Sequence, residues 1–289
     1  TAVVVARTRD DAGQVLSALL AQDRLPDRLL LVDGAIDGLG DPSALLAPVE
    51  DTGVEVLTTT LGPRRGIRRI LPAMIDRLPR AGVGRDLVWV LTSRSRPHPE
   101  ALRRLVAASG RGIGVAAPKL VDEKDPSTIV RLGLQTTRAG RIVPDPVSGT
   151  PDQGQHDGDV DAIAAPLDGS LIDRDTYESL DGHDPALGDF GGDLDLGWRS
   201  QRAGRRVVLV PDARVAGWFA GSGAPFAIEA VRRTSSDRKG GHFARRKSDG
   251  RIVLRETAHT LEKDKEALAD LSRHKYTSTN NLWFDLHAM

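Results

Sequence analysis

The sequence predicts an α/β fold in which a mostly parallel sheet is flanked by helices. Three observations lead to this prediction. The first third of the chain alternates short apolar strands with amphipathic helices, 39% of the 289 residues are hydrophobic, and the longest apolar runs are far too short to cross a membrane. A chain of this size can bury a substantial core, as one large domain or two smaller ones.

Strand-like and helix-like segments alternate through the first part of the sequence. Runs rich in Val, Leu and Ile predict strands at residues 2–6, 27–34, 53–60 and 86–91. Apolar residues at helical spacing predict helices at residues 10–22, 66–78 and 99–109, with Pro72 interrupting the second. This rhythm is typical of parallel strands joined by helical crossovers.

The second part of the sequence is less regular. A strand at 113–121 is followed by a Gly-, Asp- and Pro-rich stretch at 122–160, which favours hairpins and long loops. A helix at 193–204, ended by Gly204, and a strand at 205–215 then restore the α/β pattern.

Charge and cysteine content exclude several classes of protein. Lys plus Arg and Asp plus Glu both number 40, so the whole-chain charge gives no reason to expect a nucleic-acid partner. There are no cysteines, which excludes disulfides and thiolate metal sites. The chain starts on a strand-like run without Met or a leader, and we therefore expect a domain cut from a larger protein.

Residues 221–289 predict an extension outside the α/β core, made of a basic linker and a helical docking tail. The basic run at 232–247 favours a solvated linker, with phosphate or lipid headgroups as alternative partners. Residues 256–275 predict an amphipathic helix. Three aromatic residues on the polar end of the chain indicate docking, against the domain itself, a protein or a membrane-associated partner; they are Tyr276, Trp283 and Phe284.

Three segments, in this order and spacing, resemble the family 2 glycosyltransferases of the GT-A fold. They are "LLLVDGAIDG" (29–38), "LVWVLTSRSRPHPEALRRL" (87–105) and the long block from "DGSLIDRD" to "VPDARV" (168–215). The resemblance covers residues 1–220 and is greatest to large actinobacterial members that serve the cell envelope. A match of this length and order is far more specific than any short motif.

The resemblance implies both an architecture and an activity. Residues 1–110 would form a Rossmann-like nucleotide-binding half and residues 111–220 an acceptor half, followed by the C-terminal extension. The activity would be transfer of a hexose, with inversion, from a nucleotide-diphosphate sugar to a cell-envelope glycan or lipid-linked acceptor. We expect a cytoplasmic protein, with the inner face of the membrane as the alternative location.

The nucleoside would lie at the ends of the first two strands. Asp33 ends the second strand, where open α/β sheets bind nucleotides, and its carboxylate suits a ribose or a uracil NH. By resemblance, the loop after the first strand forms the other wall, with Ala6 and Thr8 as its contacts. The alternative for Asp33 is a turn-building residue.

The resemblance places a general base at the start of the helix at 193–204. The family's acidic pair falls on Gly192 and Asp193, which makes Asp193 the candidate base. The alternative is that Asp193 caps the helix and that Asp195 is solvated. Trp198 and Arg199 match the family's "WR", and the Trp either stacks on a sugar or fills the core.

The turn formed by Asp168, Gly169 and Ser170 passes close to the donor sugar in the family. A glycine at its centre would permit that approach because it lacks a Cβ atom. An ordinary tight turn is an equal contender.

The loop after the fourth strand departs from the family. There, paired acids bind the Mg or Mn that bridges the diphosphate, but the corresponding positions here are Ser93 and Arg94. No metal ligand is therefore predicted. Either Arg94 or Arg96 clamps the diphosphate directly, or the domain is a non-catalytic binding module, or the loop was altered on purpose.

Overall fold

The computed structural model describes fifteen ranges: 1–35, 38–60, 67–82, 84–93, 95–136, 142–146, 149–158, 161–184, 187, 191–217, 226–232, 241–245, 252–256, 260–270 and 276–284. The chain divides into two compact units, Thr1–Ser222 and Gly223–Met289.

The first unit contains an alternating series of strands and helices. Its strands are β1 (Ala2–Ala6), β2 (Arg28–Asp33), β3 (Glu55–Thr60), β4 (Leu87–Thr92), β5 (Arg96–Pro97), β6 (Ile113–Asp122), β7 (Thr128–Arg131), β8 (Gly133–Thr136), β9 (Ile142–Asp145), β10 (Thr150–Pro151), β11 (Leu171–Asp173) and β12 (Arg206–Gly217). Its helices are α1 (Arg9–Leu20), α2 (Ser43–Glu50), α3 (Ile67–Arg77), α4 (Ala101–Ala108), α5 (Arg174–Ser179) and α6 (Gly192–Arg202). The predicted α/β class is confirmed.

One large sheet runs through this unit in the order β10-β7-β6-β11-β4-β1-β2-β3, with β12 pairing to β6 and β5. Strands β3, β2, β1 and β4 are all parallel, as expected for the first half. The second half is mixed: β11 runs antiparallel to both β4 and β6, whereas β6 and β12 pair in parallel. The sheet is thus parallel in the half expected to bind nucleotide and largely antiparallel in the other.

The antiparallel insertion of β11 positions the candidate site. Leu171 pairs with Trp89 and Asp173 with Leu87, so the turn that precedes β11 lies at the carboxyl end of β4. That turn contains Asp168, which is thereby brought beside Thr92. Two residues that are distant in sequence become neighbours only because β11 reverses direction here.

Helices cover both faces of the central strands. Side chains alternate along β1: Val4 packs toward α1, α2 and α4, whereas Val3 and Val5 pack toward α3, α5 and α6. Burial on both faces explains why the strand reads as an unbroken apolar run.

Helix α6 packs directly on the chain segment at Ile163 and Ala164. A Cβ atom at Gly197 would lie 2.4 Å from the Cβ of Ala164 and 2.6 Å from the carbonyl oxygen of Ile163. Only glycine permits this approach, which holds the first turn of the helix, and Asp193 with it, against the sheet.

The second unit is a four-stranded antiparallel sheet in the order β13-β16-β14-β15. Its elements are β13 (Phe226–Arg232), β14 (Gly241–Arg245), β15 (Ile252–Glu256), a 3-10 turn (Glu262–Asp264), α7 (Lys265–Ala269) and β16 (Tyr276–Phe284). The predicted helix at 256–275 is wrong as one continuous helix, because Glu256 belongs to β15 and, of the described residues 260–270, Lys265–Ala269 are α-helical. Residues 257–259 and 271–275 of that prediction lie outside the described ranges. The Thr, Tyr, Trp and Phe residues of β16 favour a strand, and pairing with β13 and β14 satisfies its backbone.

None of the described helices combines the length and the hydrophobicity that a membrane span requires.

Candidate active site

The carboxyl ends of three parallel strands meet at one edge of the sheet. Ala6 of β1 is in register with Asp33 of β2, and Val5 of β1 with Thr92 of β4. Ligands of open α/β sheets bind beyond this edge. The edge therefore frames the candidate site.

The loops at this edge are held by hydrogen bonds to backbone NH groups. The Asp33 carboxylate accepts from the backbone NH groups of Ala35 at 3.0 Å and Leu39 at 2.8 Å. The carbonyl of Ala6 accepts from Gly34 NH at 2.9 Å, and the Thr8 hydroxyl caps α1 by accepting from Asp11 NH. In these contacts Asp33 builds its own turn, the alternative that the sequence had left open.

Next to the edge lies a group of charged residues that we call the acid–arginine cluster. It consists of Arg68, Arg131, Asp168 and Asp193. Arg68 belongs to the first turn of α3, Arg131 ends β7, and Asp193 lies in the first turn of α6. Each comes from a different element, so the tertiary fold alone assembles the cluster.

Asp193 is 9% exposed and is enclosed by donors. Arg68 binds it through two parallel hydrogen bonds, Nε to Oδ1 at 2.6 Å and Nη2 to Oδ2 at 2.5 Å. The backbone NH of Leu167 donates to Oδ2 at 3.1 Å, and Nε2 of His183 lies 3.4 Å from Oδ1. Such a two-point arginine contact is a strong form of the carboxylate hydrogen bond.

These donors decide the ionisation of Asp193. Burial, the largest influence, would raise the pKa of its carboxyl. The close approach of the His183 imidazole and the charge and hydrogen bonds of Arg68 outweigh burial and hold the pKa well below its ordinary value. In the conformation described, Asp193 is thus a carboxylate with low affinity for protons.

His183 is itself held in place by Tyr177. The phenol oxygen lies 2.9 Å from Nδ1 of the imidazole, and both side chains are buried. This contact orients the imidazole ring, and its other nitrogen, Nε2, lies toward Asp193. Tyr177 thus fixes the position of His183 beside Asp193.

Asp168 has the opposite character. Burial raises the pKa of its carboxyl, while Arg68, a hydrogen bond with Thr92 and Arg131 oppose that shift and the negative charge of Asp193 adds to it. The two acids of the cluster are thus pushed apart in pKa by their surroundings. This pattern is typical of sites that handle protons.

The low pKa of Asp193 makes stability depend on pH. A carboxyl whose folded-state pKa is depressed stabilises the fold above its ordinary pKa of about 4, and this contribution is lost as the pH falls toward the folded-state value. Between about pH 5 and pH 3 we expect the wild type to lose about 1 kcal/mol more unfolding free energy than Asp193→Asn. Urea denaturation at both pH values measures this, and parallel losses would contradict it.

The loop after β4 is shaped by its own hydroxyl and arginine groups. Ser93 and Ser95 are buried, and the Ser95 hydroxyl accepts from Thr92 NH at 3.0 Å. Arg96 donates to the carbonyls of Ser93 and Ser95 and to the side chain of Gln14 on α1. Its guanidinium is committed to the loop, which does not favour the predicted role as a diphosphate clamp. Arg94 lies outside the described residues.

These residues do not suit the Mg or Mn ion that the family resemblance implies. A hard divalent cation needs several oxygen ligands, preferably carboxylates. The described part of the loop offers only hydroxyl and carbonyl oxygens, Asp193 is bound to Arg68, and Asp168 stands among arginines. The described residues of the site therefore do not form a binding site for a divalent cation.

The turn before β11 is tightly packed. Gly169 has φ 75°, and a Cβ atom there would lie 2.9 Å from Pro118 and 3.0 Å from Val215. Trp89 donates its indole NH to the Gly169 carbonyl, and the buried Ser170 hydroxyl donates to the carbonyl of Pro166. The structure brings Asp168 into the cluster but places Gly169 and Ser170 in the packed interior.

The remaining predicted residues of α6 lie apart from the cluster. Asp195 pairs with Arg199, which also donates to the carbonyls of Leu180 at 2.5 Å and Gly182 at 2.8 Å. These contacts fasten the chain between α5 and α6. Trp198 is 51% exposed, so it does not fill the core.

Sequence reasoning missed Arg68, Arg131, Tyr177 and His183. One signal for Arg68 was available, because a basic residue in the first turn of a helix opposes the helix dipole and so implies a specific partner. His183 has no metal-ligand spacing to another histidine, and Arg131 lies in a Gly-, Asp- and Pro-rich stretch without a motif, so neither gives a signal in the sequence.

The fold defines the class of protein. It is similar to the crystal structure of GalNAc-T7 with UDP, GalNAc and Mn²⁺, with a TM-score of 0.54 and 13% identity, over 75% of this chain and 42% of that one. This likeness confirms the GT-A fold.

The sequence then gives the family. A family model described as "Glycosyltransferase like family 2" matches residues 1–236, and the chain belongs to that family. A second model, "UTP--glucose-1-phosphate uridylyltransferase", matches residues 207–289.

Curated relatives come from mycobacteria. "Galactofuranosyltransferase GlfT1" of Mycolicibacterium smegmatis is 26% identical over 208 residues, covering 70% of this chain and 65% of the relative. The protein of the same name from Mycobacterium tuberculosis is 30% identical over 139 residues, covering 46% of this chain and 43% of the relative. The chain thus spans less than two thirds of the length of either relative.

Proposed function

We propose that the chain transfers a hexose, with inversion, from a nucleotide-diphosphate sugar to a cell-envelope glycan or lipid-linked acceptor, without a divalent metal. The observation that carries this proposal is the acid–arginine cluster beside the carboxyl edge of β1, β2 and β4. It offers two permanently charged guanidinium groups that can stabilise a departing diphosphate, and a buried carboxylate that can accept the acceptor proton.

Each part of the reaction has a candidate in the chain. Ala6, Thr8 and Asp33, at the ends of β1 and β2 and in the loop after β1, would hold the nucleoside. Arg68 and Arg131 would neutralise the diphosphate, with Arg94 as a further candidate from the loop after β4. Asp193 would take the proton from the acceptor hydroxyl. Acceptors on a lipid would place the protein at the inner face of the membrane.

The relatives suggest which donor to test first. Two are named galactofuranosyltransferases, so UDP-galactofuranose is the first choice. Uridine is further supported by the uridylyltransferase description of the second family model and by the UDP bound to GalNAc-T7. GDP serves as the comparison nucleotide.

A second candidate function rests on the contacts of Asp193. Arg68, Leu167 and His183 already surround its carboxylate, which leaves little room for a proton from an acceptor. A domain that stayed in this conformation would bind a sugar nucleotide or a partner without turnover. Transfer of radiolabelled sugar to mycobacterial envelope lipids distinguishes the two functions.

Metal independence is tested by titration. We expect UDP to bind with the same affinity, within about twofold, in EDTA and in Mn²⁺, because arginines replace the metal's charge. Isothermal titration calorimetry with UDP and GDP in both conditions measures this. Binding that requires Mn²⁺ would contradict the metal-independent site, and absence of any nucleotide binding would contradict the transferase.

A further inference from the structure

Asp193 has little capacity to act as a base while Arg68 is bound to it. A carboxylate has about four positions for hydrogen-bond donors, and Arg68 fills two of them at 2.6 and 2.5 Å. Leu167 NH fills a third, and His183 faces the fourth. A base with such low proton affinity contributes little to proton transfer.

Arg68 is equally suited to a different ligand. A guanidinium presents the same two-point fork to a carboxylate and to a phosphate, and a diphosphate carries more charge than one carboxylate. Arg68 lies near Asp168, whose carboxyl hydrogen-bonds Thr92 at the carboxyl end of β4. A donor bound at that edge would therefore bring its diphosphate close to Arg68.

We infer that Arg68 exchanges partners during the reaction, binding Asp193 in the free protein and the diphosphate in the donor complex. This inference rests on the proposed transferase function. Binding of the donor would thus release Asp193 to act as the base. The guanidinium of Arg68 would take the place of the metal's charge at the diphosphate, and in the absence of donor it would keep the proton affinity of Asp193 low. Arg68 therefore has two roles: it positions Asp193 in the free protein, and it binds the diphosphate of the donor.

The exchange accounts for every bond in the transfer step. The acceptor O–H bond breaks and its proton goes to the released Asp193 carboxylate. The acceptor oxygen bonds to the anomeric carbon, and the bond from that carbon to the diphosphate oxygen breaks. Its electron pair leaves with the diphosphate, whose added negative charge Arg68 stabilises.

The exchange also predicts proton uptake on donor binding. Once Arg68 has left, burial remains as the main influence on Asp193 and raises its pKa. The charged and titratable groups that would still face it are His183, backed by Tyr177, together with Asp168 and Arg131; on its own helix, Asp195 is held by Arg199.

The test is calorimetry with UDP-galactose in EDTA at about pH 5, in buffers of different ionisation enthalpy. The diphosphate of this sugar nucleotide does not titrate in that range, so any proton taken up belongs to the protein. We expect uptake by the wild type and none by Asp193→Asn. The Asn variant should bind at least as tightly as the wild type, because Arg68 no longer has a competing carboxylate.

Substitution of Arg68 provides the second measurement. Arg68→Ala should weaken binding about tenfold or more, whereas Arg69→Ala, an exposed neighbour on the same helix, should not change it. Binding without proton uptake, or unchanged binding by Arg68→Ala, would overturn the exchange and leave the transferase intact. Failure of the wild type to bind UDP-galactose, UDP and GDP would overturn both.

Discussion

Asp193→Asn is expected to reduce sugar transfer by about 10²–10⁴-fold, the usual contribution of a positioned general base. The amide cannot accept the acceptor proton, yet it is nearly the same size as the carboxylate. Initial rates with UDP-galactofuranose and a mycobacterial lipid acceptor measure the effect. Sugar-nucleotide affinity, measured separately, should not fall.

The matched control is Asp175→Asn, which changes an exposed carboxylate on α5 that pairs with Arg80 at the surface. Its transfer rate should stay within about twofold of the wild type, since surface ion pairs of this kind contribute little. Circular dichroism and thermal unfolding would show whether both variants are folded. A folded Asp193→Asn with wild-type turnover would remove Asp193 as the base.

The central strands could be predicted from the sequence because they are buried on both faces, which makes each one a continuous apolar run. The predicted strand at 2–6 coincides with β1, and that at 86–91 lies within one residue of β4. Short helices were harder to predict: α2 has only eight residues and contains Pro48, so its sequence resembles a loop. Pro72 was expected to interrupt its helix, but α3 continues through it from Ile67 to Arg77.

The sequence predicts the two acids of the candidate site but not their arginine partners, and the reason is topological. Asp193 and Asp168 were found because they fall in a block that resembles a family. Arg68, 125 positions before Asp193, reaches it only after the sheet has formed. Periodicity describes which face a residue occupies on its own element, and it carries no information about such a distant partner.

Trp198 is exposed because of its position on α6 relative to Asp193. It lies five residues after Asp193 on α6, which turns the two side chains about 140° apart around the helix axis. Asp193 faces the sheet and the tryptophan faces outward beside Ile163, Gln201 and Arg202. Asp193 and Trp198 therefore belong to the same helix but lie on two different surfaces of it.

A second buried charge network holds the irregular chain between β10 and β11. Lys119 on β6 is fully buried, and its Nζ lies 2.9 Å from Asp152 and 2.6 Å from Asp157. Arg214 on β12 contacts the other oxygen of Asp152 at 2.7 Å. A Gly-, Asp- and Pro-rich segment with few apolar side chains is thereby fastened to the sheet through charge.

Lys119→Met is expected to lower the unfolding free energy by about 3 kcal/mol, because it removes the buried cation beside Asp152 and leaves that carboxylate with Arg214 and the backbone NH of Gly154. For a unit of this size that loss corresponds to a fall in Tm of about 6–12 °C, measurable by scanning calorimetry. Methionine fills a similar volume, so the effect reports charge and not a cavity.

Two further variants separate the network from a general effect of removing a lysine. Lys124→Met changes an exposed residue close to the end of β6 and should cost less than about 0.5 kcal/mol. Adding Asp152→Asn to Lys119→Met removes the carboxylate that has lost its lysine partner and should recover part of the loss, giving a coupling energy of about 1 kcal/mol or more. Equal losses for Lys119→Met and Lys124→Met would contradict the network, since a buried ammonium that holds a loop must differ from a solvated one.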